Sequence, residues 1–359
     1  GGFSSFKIIV GKMKANVLFG IGDLKYTNIP LPRLKSDEVL VKVKAAGICG
    51  SDIARVFKTG TYHFPTVIGH EFSGVVSDIG SSTYLSWLGK RVSVFPLKPC
   101  FKCNNCKNKE YELCSNYDYL GSRCNGGFAE YVAVPVWNLL EIPDCVCYEE
   151  AAMLEPAAVA LHALKRSGFK KGDTVVVIGP GTIGMILSQM VKLLGASKVV
   201  LVGRTQTKLD FAKTYGVENI CNSTTSDVSE WVSRNIDSSG ADIVFEGTGA
   251  SMSFNTSLKI VKSSGTIVAL GNPIDDMTLE KDFYWKLLRK QLQIYGTWNS
   301  SFGINDNDWT QVLYWLENEK LDLKRLITHR LDFSQLMEGL MLMRDNSIYS
   351  NKVMLVDHE

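Results

Sequence analysis

The sequence predicts an α/β protein in which a β-rich part is followed by a doubly wound parallel sheet. Up to about residue 155, short strand-like runs alternate with turns rich in Gly and Pro, which is typical of an all-β module with insertions. From about residue 161 to residue 270, apolar β-branched runs alternate with amphipathic helical segments, which is typical of a parallel sheet with helices on both faces. A glycine-rich loop joins the first of these strands to its helix.

Each element is predicted from its own pattern of apolar and turn-forming residues. In the β-rich part, strands are predicted over residues 38–47, 73–80, 91–96 and 128–134. In the second part, the predicted strands over residues 174–179, 198–203, 241–249 and 265–271 alternate with helices, the first two of which end near residues 195 and 215. The last segment, from about residue 299, predicts a helix over 308–320 and a final strand over 352–356.

Composition and charge narrow the classes of protein that fit. With 359 residues, 45% of them hydrophobic, the chain can form about two packed domains and is not disordered. The 39 basic and 37 acidic residues leave a net charge of +2, which predicts neither a nucleic-acid partner nor a membrane surface. The uncharged run over residues 174–191 contains Gly179, Pro180 and Gly181, so it is interpreted as strand, turn and helix and not as a membrane span.

The N-terminus and the cysteines indicate the compartment. Residues 1–12 are interpreted as an extension outside the fold, because Met13 and the residues after it look like a natural start. The segment has neither the apolar length nor the cleavage site of a secretory signal. Four of the nine cysteines have metal-ligand spacing, so a reducing, cytoplasmic setting is expected.

The loop GPGTIG over residues 179–184 has the spacing of a dinucleotide-binding motif. Gly179 permits the tight turn, Gly181 allows the backbone to approach a pyrophosphate, and Gly184 allows the helix to pack closely on the strand. The helix that begins at Thr182 and Ile183 offers free N–H groups and the positive end of its dipole to the phosphates. The sequence therefore predicts a nicotinamide dinucleotide at this loop.

The end of the next strand predicts which dinucleotide is preferred. An acidic residue there binds the adenosine ribose hydroxyls of NAD, but this position is Gly203 and Arg204 follows it. A glycine removes the repulsion of a 2′-phosphate and makes room, and Arg204 can bind the phosphate through two parallel hydrogen bonds. Lys208, one helical turn further, adds charge. NADP(H) is therefore the predicted coenzyme, with NAD(H) as the alternative.

Two sets of residues predict metal sites. Cys100, Cys103, Cys106 and Cys114 supply four thiolates within one loop, which is typical of a closed, structural zinc site. A second, dispersed set of Cys49 in GICGSD, His70 and Glu71 in GHE, and Glu155 in LEP would hold a zinc ion with one position open for an alcohol. Spacing alone does not show that this second set meets in space. The remaining cysteines, which are Cys124, Cys145, Cys147 and Cys221, are assigned no role.

The order of these motifs resembles the zinc-dependent medium-chain dehydrogenases, and in particular the polyol dehydrogenases of the sorbitol type. The resemblance covers nearly the whole chain from residue 13, and the stretches CGSDIARVFKTG, PLKPCFKC and YDYLGSRCNGGFAEY are most similar to the galactitol-1-phosphate 5-dehydrogenases. It implies a GroES-like catalytic domain of residues 13–160 and 299–359, with a structural zinc loop at 100–114, around a Rossmann domain of residues 161–298. Those sugar-phosphate enzymes carry an Asp where this chain has Gly203, so their preference for NAD does not carry over.

The same resemblance implies the roles of the site residues. It implies two zinc ions per chain, with Cys49, His70 and Glu155 at the catalytic one and Glu71 as a fourth ligand or a partner of the ligands. Ser51 would pass the alcohol proton toward solvent, although it is also interpretable as a turn-forming serine. Gly247, Thr248, Leu270 and Gly271 would line the nicotinamide. A homodimer or homotetramer is implied, joined through the strand around residues 292–298.

The substrate expected from the resemblance is a small polyol or a polyol phosphate, with galactitol 1-phosphate favoured. A phosphate needs cations, and Arg55 and Arg123 are the main candidates; Lys58, Arg289 and His63 are others. Trp298 would pack on the polyol chain. Two alternatives stay open: the same chemistry on an unphosphorylated sugar alcohol or L-threonine, and a non-catalytic nucleotide-binding protein, which predicts loss of catalytic-zinc ligands.

Overall fold

A computed structural model describes residues 11–358, and strands predominate in its first part. In chain order this part contains β1 (Lys12–Gly20), β2 (Asp23–Pro30), β3 (Glu38–Ile48), α1 (Gly50–Ala54), β4 (Thr66–Val67), β5 (Glu71–Ile79), β6 (Arg91–Val94), β7 (Leu97–Lys98), α2 (Asn104–Lys107), β8 (Asp118–Tyr119), β9 (Tyr131–Pro135), β10 (Leu139–Glu141) and α3 (Tyr148–Ala152). A π-helical turn (Arg55–Thr59) continues α1. Most of the predicted extension over residues 1–12 lies outside the described residues, and Lys12 begins β1.

Helices and parallel strands alternate in the second part, and the last part adds helices and two strands. The second part contains α4 (Leu154–Arg166), β11 (Thr174–Ile178), α5 (Thr182–Leu193), β12 (Lys198–Gly203), α6 (Gln206–Tyr215), β13 (Asn219–Asn222), α7 (Val228–Asn235), β14 (Ala241–Glu246), α8 (Ser251–Ile260), β15 (Val261–Ala269), α9 (Lys281–Arg289) and β16 (Gln293–Gly296). The last part contains α10 (Asp308–Glu317), β17 (Ile327–Leu331), α11 (Leu336–Arg344) and β18 (Lys352–Val356). Strands β12 and β18 have the bounds that the sequence predicts.

The largest sheet of the β-rich part is completed by the C-terminus of the chain. Its strand order is β10-β6-β5-β3-β18-β17, and β9 also pairs with β3. Strand β18 lies antiparallel to β3, with Val353 opposite Ile48, so residues more than 300 positions apart become neighbours. This pairing places the first residue of β18, Lys352, next to the end of β3, from which the chain continues into α1.

The parallel sheet has the strand order β13-β12-β11-β14-β15-β16, and every pair in it is parallel. This is the doubly wound order in which the direction of winding reverses between β11 and β14. Ligands of such sheets bind at the carboxyl ends of the strands beside that reversal. The loop over residues 179–184 leaves β11 at that point, so the predicted fold class is confirmed and the dinucleotide loop lies where a ligand would bind.

Helix α4 connects the two parts. It packs against α5 and α10, and most of its residues are buried, among them Leu161 and Leu164. The predicted domain boundary between residues 160 and 161 lies inside this helix. A second connection runs from Thr182 at the start of α5, whose hydroxyl donates to Asn351 Oδ1 at 2.6 Å just before β18. Within residues 11–358, no helix has both the length and the apolar composition needed to cross a membrane.

Candidate functional site

A cleft of about 590 Å³ lies between the β-rich part and the parallel sheet. One wall comes from α1 and the segments after it, and the other comes from the loops at the carboxyl ends of β11, β15 and β16. Its lining consists of Cys49, Ser51, Arg55, Thr59, Gly60, Thr61, Tyr62, His70, Glu71, Tyr117, Tyr119, Ser122, Glu155, Val159, Ile183, Leu270, Asn272, Thr297, Trp298 and Asn299. The five predicted catalytic residues therefore share one cleft with residues of the predicted coenzyme site.

Three of those side chains converge on one point of the cleft. One ligand atom from each of Cys49, His70 and Glu71 lies within 4.8 Å of the other two. Glu155 lines the same cleft, but its carboxylate is not part of this close group. Thiolate, imidazole and carboxylate are the ligands that zinc takes in catalytic sites, so this donor set fits a zinc ion with room left for a further ligand.

The local fold around α1 holds Cys49 and His70 in place. Cys49 is the N-cap of α1, and its backbone N–H donates to Asp52 Oδ2 at 2.9 Å. Asp52 is fully buried, and its other oxygen accepts from Arg55 Nη1 at 3.1 Å. The same Nη1 lies 3.1 Å from Ser51 Oγ and 3.3 Å from His70 Nδ1. Asp52 and Arg55 thus connect the cysteine, serine and histidine of the cleft in one polar network.

Glu71 is held by a lysine from the C-terminal strand. Lys352 Nζ lies 2.6 Å from Glu71 Oε2 and donates to the Ile48 carbonyl oxygen at 3.0 Å. Their side chains are only 4% and 1% exposed. Burial alone would lower the pKa of Lys352, but the negative charges of Glu71 and Cys49 raise it. Lys352 is therefore a charged, buried ammonium group that pairs with the carboxylate of Glu71 beside the cleft.

Without a metal ion, the cleft disfavours the negatively charged forms of Glu155 and Cys49. Burial raises the pKa of Glu155 to about 8; the nearby His70 lowers it, whereas Glu71 and Cys49 raise it. Burial also raises the pKa of the Cys49 thiol, with Glu71 as the next cause. A divalent cation at this point would stabilise both deprotonated groups. The electrostatics of the cleft therefore fit a bound metal ion.

The second predicted metal set forms a compact lobe away from the cleft. Cys100 Sγ and Cys106 Sγ are 4.0 Å apart, and Cys103 Sγ and Cys114 Sγ are 3.9 Å apart. A tetrahedron with metal–sulfur bonds of about 2.3 Å has edges of about 3.8 Å, so the spacing fits zinc. Backbone N–H groups lower the pKa of Cys103 to about 5, whereas burial raises the pKa of Cys106 to about 12. With four sulfurs around one point, this lobe has no open position.

The dinucleotide loop has the shape that its glycines predict. Gly179 has a φ of 117°, and its N–H donates to the Val202 carbonyl oxygen at 2.9 Å. A Cβ on Gly184 would lie 2.0 Å from the Gly179 carbonyl oxygen, so only glycine fits there. Gly181 is the N-cap of α5, and a Cβ on it would meet nothing within 4 Å. The open space beside Gly181 and the helix start fit an incoming pyrophosphate.

The predicted nicotinamide side is organised by the buried residue Glu246. Glu246 Oε1 accepts from the backbone N–H of Thr248 at 2.7 Å, and the Glu246 carbonyl oxygen accepts from the N–H groups of Leu270 and Gly271, each at 2.9 Å. Leu270 lines the cleft together with Ile183 of α5. Gly247, Thr248 and Gly271 are not part of the cleft lining.

The predicted adenosine side shows one difference from the expectation. Arg204 is exposed, and among the described residues it has neither an ion pair nor a hydrogen bond. Burial lowers the pKa of Lys208. A Cβ on Gly203 would lie 2.5 Å from Pro180 Cγ. Gly203 therefore leaves out an acidic group as predicted, but the ring of Pro180 takes the space that a side chain would use, so the glycine does not open a free volume there.

The predicted substrate residues differ in position. Arg55 and Trp298 line the cleft, and Trp298 is 54% exposed. Arg123 is not part of the lining; its guanidinium carbon is 4.3 Å from the ring centre of Tyr62 and 4.0 Å from that of Tyr117, and both tyrosines line the cleft. The other cations lie elsewhere: Lys58 is exposed outside the lining, Arg289 lies over Trp285, and His63 Nε2 is 2.8 Å from the Arg123 carbonyl oxygen.

Three further residues of the site, Lys352, Asp52 and Tyr119, are not among those predicted from the sequence. Asp52 is in the quoted GICGSD run, so its acidic side chain two positions after Gly50 was an available signal. Lys352 had a weaker signal, as a charged residue that begins an apolar strand. Tyr119 lines the cleft with its ring centre 5.9 Å from that of His70, and burial raises its pKa well above the usual value. No local pattern distinguishes Tyr119 from a core tyrosine.

Comparison with known proteins gives the same family for both parts of the chain. Residues 35–144 match the alcohol dehydrogenase GroES-like domain, and residues 182–318 match the zinc-binding dehydrogenase domain. Galactitol 1-phosphate 5-dehydrogenase of Escherichia coli (strain K12) is 32% identical over 346 residues, which are 96% of this chain and 100% of that protein. Sorbitol dehydrogenase of Bacillus subtilis (strain 168) is 29% identical over 334 residues, which are 91% of this chain and 92% of that enzyme.

A solved structure shows the same relationship in three dimensions. A zinc-binding dehydrogenase from Sinorhizobium meliloti 1021, crystallised with NADP, superposes with a TM-score of 0.88 at 28% identity and covers 97% of this chain and 100% of its own. The matched domains, the relatives and the donor set of the cleft agree on zinc and on a nicotinamide cofactor. The chain therefore belongs to the zinc-dependent medium-chain dehydrogenases, and within them it is a polyol dehydrogenase.

Proposed function

We propose that the protein oxidises a secondary alcohol of a polyol phosphate, with galactitol 1-phosphate as the first candidate, to a keto-sugar phosphate and that it prefers NADP(H). The main support is that ligand atoms of Cys49, His70 and Glu71 converge beside the dinucleotide loop, in a cleft that Arg55 also lines. The Escherichia coli relative named for galactitol 1-phosphate supports the choice of substrate. Arg55 is the one Lys or Arg of the cleft lining among residues 11–358, and a guanidinium binds phosphate well.

Two zinc ions per chain are part of the proposal. The sulfurs of Cys100, Cys103, Cys106 and Cys114 would hold the structural ion, and Cys49, His70 and Glu155 would hold the catalytic one. When bound in the cleft, zinc supplies a Lewis acid that favours loss of the proton from the substrate hydroxyl. Glu71 has one oxygen engaged by Lys352, and we assign it to exchange at the open position or to hold the ligands in place.

The residues of the cleft account for the other requirements of hydride transfer. Ser51 Oγ accepts a hydrogen bond from Arg55 Nη1 at 3.1 Å and also hydrogen-bonds to Cys49, and we assign its hydroxyl to moving the substrate proton outward. Ile183 and Leu270 form an apolar wall that excludes water from the place where the substrate carbon meets the nicotinamide. Trp298 lines the cleft and is 54% exposed, and we assign it to pack on the polyol chain.

The preference for NADP(H) over NAD(H) is proposed from the adenosine side of the loop. No acidic residue stands at position 203, and the free guanidinium of Arg204 follows it among the described residues. Lys208 lies one turn into α6 and adds positive charge. The NADP bound by the Sinorhizobium structure supports this choice. NAD(H) remains the second candidate, because the loop itself serves either coenzyme.

The domain division and the assembly are also proposals. We assign residues 13–160 and 299–359 to the catalytic domain and residues 161–298 to the coenzyme domain, with α4 crossing the boundary. Strand β16 is exposed along its whole length at the edge of the parallel sheet, with Ile294 and Tyr295 at 37% and 38% exposure. We propose that two such edges pair in a homodimer, which can pair again into a tetramer. A monomeric mass in sedimentation at micromolar concentration would contradict this.

A second candidate substrate is an unphosphorylated sugar alcohol. Arg55 Nη1 is already in contact with Ser51, Asp52 and His70, so part of its hydrogen-bonding capacity is used inside the protein. Arg123, the other cation expected to bind phosphate, stacks on Tyr62 and Tyr117 and is not part of the cleft lining. The sorbitol dehydrogenase of Bacillus subtilis is a relative of this type. Because of these contacts, a preference for the phosphorylated substrate over the free sugar alcohol needs to be measured directly.

The experiment measures the rate of NADP⁺ reduction with galactitol 1-phosphate and, under the same conditions, with galactitol. If Arg55 binds the phosphate, its charge-assisted hydrogen bond contributes about 1.5–3 kcal/mol, and kcat/KM for the ester exceeds that for galactitol by about 10–150-fold. Arg55→Gln removes the charge and is expected to reduce this ratio to near unity. Lys58→Gln removes a neighbouring exposed charge outside the cleft and leaves the ratio unchanged. Equal rates with both compounds in the wild type would favour the free sugar alcohol.

A further inference from the structure

Gly203, the last residue of β12, lies directly against the ring of Pro180 in the dinucleotide loop. A Cβ on Gly203 would be 2.5 Å from Pro180 Cγ, 2.9 Å from Pro180 Cδ and 3.3 Å from Leu209 Cδ2. Carbon atoms in folded proteins do not approach to such distances, so any other residue at position 203 requires one of these neighbours to move. Pro180 presents two of the three contacts, and both are shorter than the contact with Leu209.

The ring of Pro180 has little freedom to move away. Its φ is fixed by the pyrrolidine ring, so the side chain cannot rotate out of the contact. The residues on both sides are also held. Gly179 has a φ of 117° and donates its N–H to Val202, and Gly181 is the N-cap of α5. The proline is therefore clamped between a hydrogen-bonded turn and a helix start, and its ring is a fixed wall above the end of β12.

Position 203 is where a doubly wound coenzyme domain places the acidic residue that binds the adenosine ribose hydroxyls of NAD. We propose that Pro180 is a specificity-determining residue: its ring excludes an acidic side chain from position 203 and leaves Arg204 as the ionised group at this edge of the coenzyme site. The inference rests on the proposed preference for NADP(H). Its consequence is that the change to NAD(H) needs two substitutions, because an acid at position 203 cannot take its place while Pro180 remains.

Stability measurements test the contact without any coenzyme. Gly203→Ala adds a single Cβ, and we expect it to lower Tm by several degrees. The double variant Pro180→Ala/Gly203→Ala should recover most of this loss, since alanine lacks Cγ and Cδ. Gly20→Ala is the matched control, because Gly20 also ends a strand and a Cβ there would meet nothing within 4 Å. If Gly203→Ala unfolds at the same temperature as the wild type and Gly20→Ala, the steric wall does not exist and the inference is wrong.

Coenzyme binding then tests specificity, measured as the dissociation constants of NAD⁺ and NADP⁺ without substrate. We expect Pro180→Ala/Gly203→Asp to bind NAD⁺ at least about tenfold more tightly than the wild type, and Gly203→Asp alone to show no such gain or to fail to fold. If Gly203→Asp alone gains as much NAD⁺ affinity as the double variant, Pro180 does not determine specificity. Equal binding of both coenzymes by the wild type would instead refute the preference for NADP(H), and the single and double variants would still decide the role of Pro180.

Discussion

Replacing Cys49 with serine is expected to abolish dehydrogenase activity and to remove one zinc ion per chain while leaving the fold intact. Cys49 is one of the three residues whose ligand atoms converge in the cleft, and serine is a poor ligand for zinc beside thiolate. A Lewis acid contributes several kcal/mol to the transition state, so kcat/KM should fall by about a thousandfold or more. The fold should persist because serine is a favoured N-cap, which is the position of Cys49 in α1.

Cys147→Ser is the matched control for this experiment. Cys147 is the N-cap of α3, a helix of five residues like α1, and its backbone N–H donates to the carboxylate of Glu150 three positions later. The same arrangement joins Cys49 to Asp52. Cys147 does not line the cleft, so its substitution should leave both the zinc content and the turnover unchanged. Activity retained in Cys49→Ser, measured with the same substrate and metal analysis, would show that the catalytic centre lies elsewhere.

The second large effect is expected from Lys352→Met, which should destabilise the protein by about 3–5 kcal/mol because it leaves the buried carboxylate of Glu71 without its partner. Chemical denaturation of the two proteins measures this difference as a change in the free energy of unfolding. Lys90→Met is the matched control, since Lys90 pairs with Glu141 at 2.7 Å but the two side chains are 38% and 53% exposed. An exposed pair contributes only up to about 1 kcal/mol.

Each lysine thus pairs with a glutamate at nearly the same distance, and burial is the main difference between the two pairs. If Lys352→Met costs no more than Lys90→Met, the Glu71–Lys352 pair is not the element that fixes Glu71 beside the cleft. In that case the assignment of Glu71 as a held partner of the ligands would need to be replaced by direct ligation, since its carboxylate already lies within 4.8 Å of the ligand atoms of Cys49 and His70.

Local patterns in the sequence predicted the motifs and about half of the strands, but not the contacts between distant parts of the chain. The run KVMLV predicts a strand with the bounds observed for β18, because alternation and β-branching are local properties. That β18 lies beside β3, and so brings Lys352 to Glu71, depends on a pairing across about 300 residues. No spacing rule expresses such a contact, so the lysine was missed although its strand was predicted.

Arg123 and Gly203 show that the direction of side chains, like the pairing of distant strands, does not follow from local sequence patterns. Arg123 was expected at the substrate because it is close in sequence to the cysteine loop, but its guanidinium stacks between Tyr62 and Tyr117. Gly203 was interpreted as a gap that makes room for a phosphate, whereas the space next to it holds the ring of Pro180. In both cases the sequence identifies the residue and its neighbourhood, and the direction of nearby side chains decides what the residue can do.

Whether the cleft is a zinc-dependent dehydrogenase site can be decided by measuring zinc content and alcohol-dependent NADP⁺ reduction in the same sample during treatment with a chelator. The ion in the open cleft should leave before the ion enclosed by four cysteines, since only the former has an accessible position. We predict that turnover falls in proportion to the first zinc ion lost, with no change in circular dichroism, and that added zinc restores it. Full turnover after that ion has left would show that activity does not depend on zinc in the cleft.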